Sequence, residues 1–561
     1  VVTLERIDEA KIPRYSQEMR IALAQINPRL GDFAYNAKKI LTFTERALEK
    51  RAHLVVFSET ALFGYPAYDS LERVDIVEKQ ERELQKLIKL LPAGITCIFG
   101  AVIKNKLFKK NGKPYQNVAV VARRGSKTQF TAKQLLPSYD VFDDTRFFEP
   151  GKKTLVVSIP QVGKVAVTIC EDMWNQKYAV NPLANIKGVD LVVNISASPY
   201  SMTKLKQRLK TAREHVKKMR APFLYVNQVG GQDEIIFDGS SFILGKEGKE
   251  IVQAASCEED LVISDLKIQR SEHRPSVSNN LERLRLALTL GLRDFMSKTN
   301  QKSVHLGLSG GIDSALVAAI AVDALGANNV TGFLLPGPYS SEDSIGDATA
   351  LARNLKIKTQ TININKLYEL IKSETFEALQ SSLHGPGHTD GLAKKVISIV
   401  DQNIQSRLRG LLMMTFSNAS QSMLLTTTNK SEMATGYGTL YGDLCGGLAP
   451  IGDLVKSDVY KLARHYNFEQ ELIPENIFSK APSAELAPNQ KDQDNLPPYD
   501  KLDKAVKHTI ESCQKPIGEV DLILQGLLLK SEWKRWQTPP VLRVTERAFG
   551  KNRRWPIAFK I

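Results

Sequence analysis

The sequence predicts two α/β domains in tandem, and three features carry that expectation. Over the first half, short apolar, β-branched runs alternate with helical segments, as "MRIALAQIN" and "AHLVVFSET" do around "NAKKILTFTERALEKR". The alternation resumes beyond "KIQRSEHRPSVSNN", a polar stretch that contains Pro, has no apolar period and reads as a linker. The chain's 561 residues also exceed a single core, since a domain holds roughly 100–200 residues.

Taken in order, the strand candidates of the first unit continue with "ITCIFGAVI", "YQNVAVVARR", "KVAVTIC", "VDLVVNIS" and "APFLYVNQ", and the unit closes near "CEEDLVISDL". The assignment is domain one at 1–268, linker at 269–280 and domain two at 281–561. The second unit opens with a helix, "LERLRLALTLGLRDFMSKT". Next comes "SVHLGLSGGIDSALVAAIAV", which reads as strand, glycine turn and helix. Strand candidates "NVTGFLLPG", "KTQTINI" and "MLLTTTN" follow between helical runs. The segment "SKAPSAELAPNQKDQDNLPPYDKL" lacks periodicity and is too long for an ordinary connection, so it is expected to be a mobile functional loop or disordered.

A hydrophobic fraction of 42% and a charged fraction of 24% are those of an ordinary globular protein. No apolar run approaches the ~18–20 residues that a membrane helix needs, and the first residues lack the apolar centre of a signal peptide. The cysteines Cys97, Cys170, Cys257, Cys445 and Cys513 are scattered and never paired as CxxC. That points away from a disulfide scaffold or zinc site and toward a reducing, cytoplasmic setting. The formal charge of +15 suits either a nucleic-acid footprint or a solvated surface biased toward small anions. The basic clusters are short ("KSEWKRWQ", "GKNRRW") and no RNA-binding module is visible, so small-molecule substrates are expected, with no nucleic acid and no membrane.

Within "LGLSGGIDSA", Gly310 and Gly311 allow backbone N–H groups to approach an anion, and Ser309 and Ser314 add hydroxyl donors. The N-terminus of the following helix supplies partial positive charge. A Walker A loop would carry a Lys after the glycines, and none is present. Asp313 is a carboxylate at an anion site, which makes sense if Mg²⁺ lies between it and phosphates. A bare SGG would be a serine-capped turn; the full string, between a buried strand and an Ala-rich helix, favours phosphate.

This string resembles the pyrophosphate loop of the ATP pyrophosphatases, enzymes that split ATP between its α and β phosphates. That resemblance implies a Rossmann-like doubly wound parallel sheet. The stretches "LLTTTNKSEMATGYGTLYGDLCGGLAPIGDLVKSDVYKLA", "QNIQSRLRGLLMMTFSN" and "PSAELAPNQKDQDNLPPYDKLD" are similar to the NAD synthetases, as is the tail through "RAFGKNRRWPIA". The resemblance implies ATP binding at Gly307, Leu308, Ser309, Gly310, Gly311, Ile312, Asp313, Ser314 and Thr427. It implies deamido-NAD binding at Asn403, Glu432 and Lys534, and Mg²⁺ on Asp313 and Glu432. Glu432 also reads as a helix-capping residue and Lys534 as a solvated charge. Asp443 and Lys456 read as contributors to substrate placement or charge stabilisation, and Asp443 also reads as a turn residue.

In the first unit Glu59 closes "HLVVFSE", Lys133 lies in "FTAKQLLPSYDVFDD" and Cys170 ends "KVAVTIC". A thiol nucleophile needs a base, and an amide carbonyl needs a cation at its developing oxyanion. Glu59 can be that base, Cys170 the nucleophile and Lys133 the cation. In their strings, together with "SETALFGYPAYD", "NISASPYS" and "RAPFLYVNQVGGQDEIIFDGSSF", these residues resemble the Glu-Lys-Cys triad of the nitrilase superfamily. The resemblance, to the glutamine-hydrolysing branch, implies an α-β-β-α sandwich. It also implies a glutamine pocket lined by Tyr139, Trp174, Ser198 and Lys204, with Asp144 standing where many relatives carry Glu. Cys445, in a glycine-rich turn, reads as a small filler.

A glutaminase joined to an amide-forming ATP enzyme implies that ammonia made by one half is consumed by the other. The expectation is amidation of deamido-NAD with glutamine as nitrogen donor, by a homodimer or higher homo-oligomer. Other amidotransferases with the pyrophosphate loop, or an RNA-modifying protein, are disfavoured by "NKSEMATGYGTLYGD" and by the lack of an RNA module or cysteine pairs.

Overall fold

The computed structural model describes residues 19–559 except 107, 109–111, 175–179, 185, 267–269, 272–276, 278 and 384–389. In the first domain seven strands form one sheet in the order Arg270–Ser271, Asp260–Asp265, Arg20–Gln25, Leu54–Val56, Thr96–Lys104, Tyr115–Ala122 and Gln129–Ala132. Six more form a second sheet, ordered Glu250–Gln253, Phe242–Leu244, Phe223–Asn227, Leu191–Ser196, Gly163–Ile169 and Leu155–Ile159.

The sheets face each other across a core that includes Leu23, Val56, Ile98, Val167, Val193 and Val226. Helices Phe33–Glu49 and Val74–Leu90 cover the outer face of the first sheet, and helix Lys204–Met219 covers that of the second. Leu191–Ser196 shows why the strands are mostly apolar, its buried Asn194 and Ser196 being hydrogen-bonded to each other. Val193 and Ile195 face the opposite sheet while Val192 faces the helix, so period two leaves no wet side. This is the α-β-β-α sandwich the sequence led us to expect.

The second domain has four parallel strands in the order Lys358–Thr361, Val330–Leu334, Val304–Gly307 and Met423–Leu424. Growth of the sheet reverses between the last two, creating the switch point where open α/β sheets bind ligands. Helix Ile312–Leu325 leaves that point and is buried along most of its length, from Ala315 to Ala321. It packs against helices Asn280–Lys298 and Lys456–Tyr466, which explains its nearly all-apolar sequence.

Two expected segments differ from their sequence reading. Of the 269–280 linker, Arg270–Ser271 pairs with Ser264–Asp265, and Asn279 caps the next helix by accepting from the Leu281 N–H. Residues 269, 272–276 and 278 of it lie outside the described residues. The Pro-rich segment near 479–502 is held in place rather than disordered. Glu485 accepts from the Ser344 hydroxyl at 2.7 Å, the Leu486 carbonyl accepts from Gln405 at 3.0 Å, and helix Tyr499–Val506 closes the segment. The missing periodicity reflects a path that follows a cavity wall instead of a regular element.

The domains share a core in which Tyr200, Val229 and Ile236 meet Leu284 and Leu288. Asp294 accepts from Asn27 at 2.6 Å and from the Gly231 N–H at 2.8 Å, clamping hairpin 229–238 to helix Asn280–Lys298.

Candidate active sites

The structure brings Glu59, Lys133, Cys170 and Asp144 together at the ends of both first-domain sheets, all of them buried. Lys133 Nζ lies 2.8 Å from Glu59 Oε1 and 2.6 Å from Asp144 Oδ2. Glu59 is fixed further by Asn117 Nδ2 at 2.7 Å and by the Ala197 N–H at 2.9 Å. Asp144 also accepts from the Tyr65 hydroxyl at 3.1 Å. Burial works to lower the Lys133 pKa, but Asp144 and Glu59 hold it well above the ordinary lysine value, so the site keeps its cation. Burial, reinforced by the Glu59 charge, pushes the Cys170 thiol well up. The resting nucleophile is therefore a thiol beside a carboxylate ready to take its proton.

Cys170 sits where strand Gly163–Ile169 passes into a short helical turn, with φ at +41°, a conformation uncommon for a side-chain-bearing residue. Asp172 ties this turn to the lysine loop. One oxygen accepts from Gln134 and Leu135 N–H groups at 2.9 Å, and the other from the Ile169 N–H at 3.0 Å. Burial pushes Asp172 up to about 7, against those three donors. Sequence reasoning missed Asp172, Tyr65 and Asn117; the strings "CEDMW" and "SETALFGYPAYD" offered a local signal for the first two.

The expected glutamine-pocket residues gather nearby. The Tyr139 hydroxyl donates to Glu171 at 2.8 Å. Lys204 Nζ lies 4.5 Å from the Trp174 ring centre, and burial, then the charge of Arg208, lowers its pKa. Ser198 is buried, and its carbonyl accepts from Arg208 at 2.7 Å.

At the switch point of the second domain lies a cavity of about 630 Å³ lined by the loop Gly307–Ser314, by Thr427 and by Asn403. Gly310 has φ at +74°, and a Cβ there would stand 2.4 Å from the Ser344 carbonyl oxygen, so the turn needs glycine. Ser309 and Ser314 hydroxyls lie 3.1 Å apart at the start of helix Ile312–Leu325. Lys456 Nζ reaches Asp313 Oδ2 at 2.5 Å and Glu432 Oε1 at 3.5 Å, and Lys456 is buried at the cavity wall. Burial, then the charge of Asp313, pushes Glu432 up to about 8.

Glu432 both borders the cavity and completes a capping box with Asn429. Asp443 likewise holds a turn, accepting from Ser406 at 2.7 Å and the Thr439 N–H at 2.8 Å, while lining the cavity. Lys534 is no solvated charge: it donates to the Gly436 and Gly438 carbonyls, both at 2.9 Å. Asn403 accepts from the Thr439 hydroxyl at 2.7 Å. Cys445 packs against the apolar cluster that contains Phe333, Met413 and Leu424, as a filler would, and burial pushes its thiol up to about 11. Asn429, which donates to Asp313 at 3.0 Å, had no sequence signal beyond its neighbours.

Comparison with known proteins gives both halves a family. Residues 20–275 match the carbon-nitrogen hydrolase family, and residues 285–537 match NAD synthase. The chain is 43% identical to a glutamine-dependent NAD(+) synthetase of Synechocystis sp., covering 96% of this chain and 98% of the relative. It is 37% identical to that of Thermotoga maritima, over 96% and 98% respectively. Among solved structures, the glutamine-dependent NAD+ synthetase of Acinetobacter baumannii, in complex with ADP, is similar at 33% identity and a TM-score of 0.74, with 96% and 98% covered.

Proposed function

The chain belongs to the glutamine-dependent NAD(+) synthetases, and on that premise we propose how its two sites divide the reaction. The first domain releases ammonia from L-glutamine, and the second uses ATP to amidate deamido-NAD, giving NAD, AMP, pyrophosphate and glutamate. What supports this most is one conjunction: a buried Glu59–Lys133–Cys170 group and a lysine-free phosphate loop at a switch point occupy the same chain.

In the first domain, Cys170 Sγ attacks the carboxamide carbon while Glu59 takes the thiol proton and passes it to the departing ammonia. Lys133 stabilises the oxyanion, and water then releases glutamate from the thioester. Tyr139, Trp174, Ser198 and Lys204 bind glutamine, and Asp144 holds Lys133 in register. In the second domain the 309–314 loop holds the pyrophosphate that leaves, Thr427 contacts ATP, and Asn403, Glu432 and Lys534 place deamido-NAD. The nicotinate carboxylate attacks the α-phosphorus, and ammonia displaces AMP from the adenylate. Lys456 lies where charge builds during both steps, and Asp443 keeps its turn in register.

The second site also fits Mg²⁺. Asp313 and Glu432 are hard oxygen donors converging beside the phosphate loop, both in contact with Lys456 Nζ. They would hold the ion, whose charge would offset that of the phosphate oxygens. The expected limits 1–268 and 281–561 shift slightly, the first domain running through Arg270–Ser271 and the second opening at Asn280; a cytoplasmic setting and a homodimer or higher homo-oligomer complete the reading. No helix among the described residues is long and apolar enough to cross a membrane. The decisive assay supplies ATP, Mg²⁺, deamido-NAD and glutamine and follows NAD with AMP. Equal yields are expected, whereas ADP in place of AMP overturns the assignment of the loop. Cys170→Ala should lose glutamine-driven synthesis yet still make NAD from ammonium salts.

A further inference from the structure

Between strand Leu191–Ser196 and helix Lys204–Met219 runs the loop that carries Ser198 and delivers Lys204. Its first part is held from within its own domain, where Arg208 donates to the carbonyls of Ser198 and Pro199 at 2.7 and 3.0 Å. Its second part is held by the other domain. Arg543 donates to the Tyr200 carbonyl at 3.2 Å, and the Met202 N–H donates to the Val544 carbonyl at 3.0 Å. Hydroxyls of Ser201 and Thr203 both donate to Glu546 Oε1, at 2.6 and 2.5 Å. Arg543 also pairs with Asp140, the neighbour of Tyr139, at 2.7 Å.

The strap 543–546 is itself rigidly mounted. Asp453 accepts from the N–H groups of Val544 and Thr545 at 2.8 and 2.7 Å, and Lys430 donates to the Thr545 hydroxyl at 2.7 Å. Both Asp453 and Lys430 are fully buried. Fixing a loop residue costs backbone entropy, so a preset anchor keeps that cost out of each substrate-binding event.

We propose that Glu546, a residue of the second domain, is a positioning residue for the glutamine site of the first. It gathers two loop hydroxyls on one carboxylate oxygen, sets the path from Ser198 to Lys204, and thereby sets glutamine affinity. This rests on the reading of Ser198 and Lys204 as glutamine ligands. Burial works to raise the pKa of Glu546, but bonds from Ser201 and Thr203 and the charges of Lys204 and Arg543 hold it low, so the carboxylate stays ionised as an acceptor. Glu546 does not line the nucleotide cavity.

The test compares Glu546→Ala and Glu546→Gln with the parent in glutamine-driven and ammonium-driven NAD synthesis. The alanine variant is expected to raise the glutamine KM about tenfold, the scale of lost hydrogen bonds to a charged group. Its ammonium-driven rate should be unchanged. The glutamine variant keeps an oxygen acceptor and should recover most of the affinity. An unchanged KM in Glu546→Ala overturns the proposal, as does a parallel fall in the ammonium-driven rate or a failure of Glu546→Gln to recover. If the parent itself makes no NAD from glutamine, the underlying functional reading falls instead.

Discussion

Lys133 stands buried between two carboxylates, so each partner's removal leaves a buried charge short of balance. Breaking such a pair costs about 3–5 kcal/mol. Asp144→Ala should therefore lower the unfolding midpoint in urea, and glutamine hydrolysis should fall at least about a hundredfold because Lys133 collapses onto Glu59 and occupies the base. A variant with parental hydrolysis would show Asp144 to be dispensable. At the other site, Gly310→Ala would force an ordinary residue to φ +74° and drive its Cβ toward the Ser344 carbonyl. Ammonium-driven synthesis should drop more than about tenfold while glutamine hydrolysis persists, a separation measurable by assaying glutamate and NAD on one preparation. The sequence made Glu59, Lys133, Cys170 and the loop around Gly310 visible because each ends a strand within a distinctive string. Arg543 and Glu546 were invisible for a physical reason: their partners lie 403 and 343 residues away, and no local pattern encodes a contact of that range.

The regular elements were legible where burial imposes a period. Strand Leu191–Ser196, buried on both faces, and helix Asn280–Lys298, buried all round from Ala287 to Leu292, lie where their apolar patterns put them. The segment near 479–502 was not legible, because its order comes from single hydrogen bonds to Gln405 and Ser344. Helix Asn280–Lys298 also carries a pH-sensitive seam. Glu282 takes two bonds from Arg285, at 2.8 and 2.7 Å, and one from His465 at 2.8 Å, joining it to helix Lys456–Tyr466. The Arg285 bonds, then burial in opposition, then His465, leave Glu282 drawn down from 4.5 to about 2. A carboxylate depressed in the folded state contributes stability above its unfolded pKa and loses it as pH falls through the folded one. The seam should thus weaken between about pH 4.5 and pH 2, by about 1 kcal/mol once solvent screening is allowed for. Urea midpoints followed down that range should fall less steeply for Glu282→Gln than for the parent; parallel slopes would rule the seam out.

At the scale of the molecule, the described residues of the second domain include an exposed apolar groove of about 770 Å³, where Leu411, Met414 and Tyr441 are 62%, 40% and 66% exposed. Lone soluble domains rarely expose contiguous apolar patches beyond a few hundred Å². Gly410 and Cys445 border both this groove and the nucleotide cavity, so whatever covers the groove braces the cavity wall. A second copy meeting the same face across a two-fold axis would cover both at once. The parent should therefore sediment at twice the 62.5 kDa of one chain. Leu411→Glu paired with Met414→Glu buries charge in that contact and should yield monomers. Monomers should lose ammonium-driven synthesis as the cavity wall loosens, yet hydrolyse glutamine at the parental rate, since Cys170 lies in the other domain. Parental assembly in the double variant would place the dimer contact elsewhere, and full synthesis by its monomers would uncouple assembly from the nucleotide site.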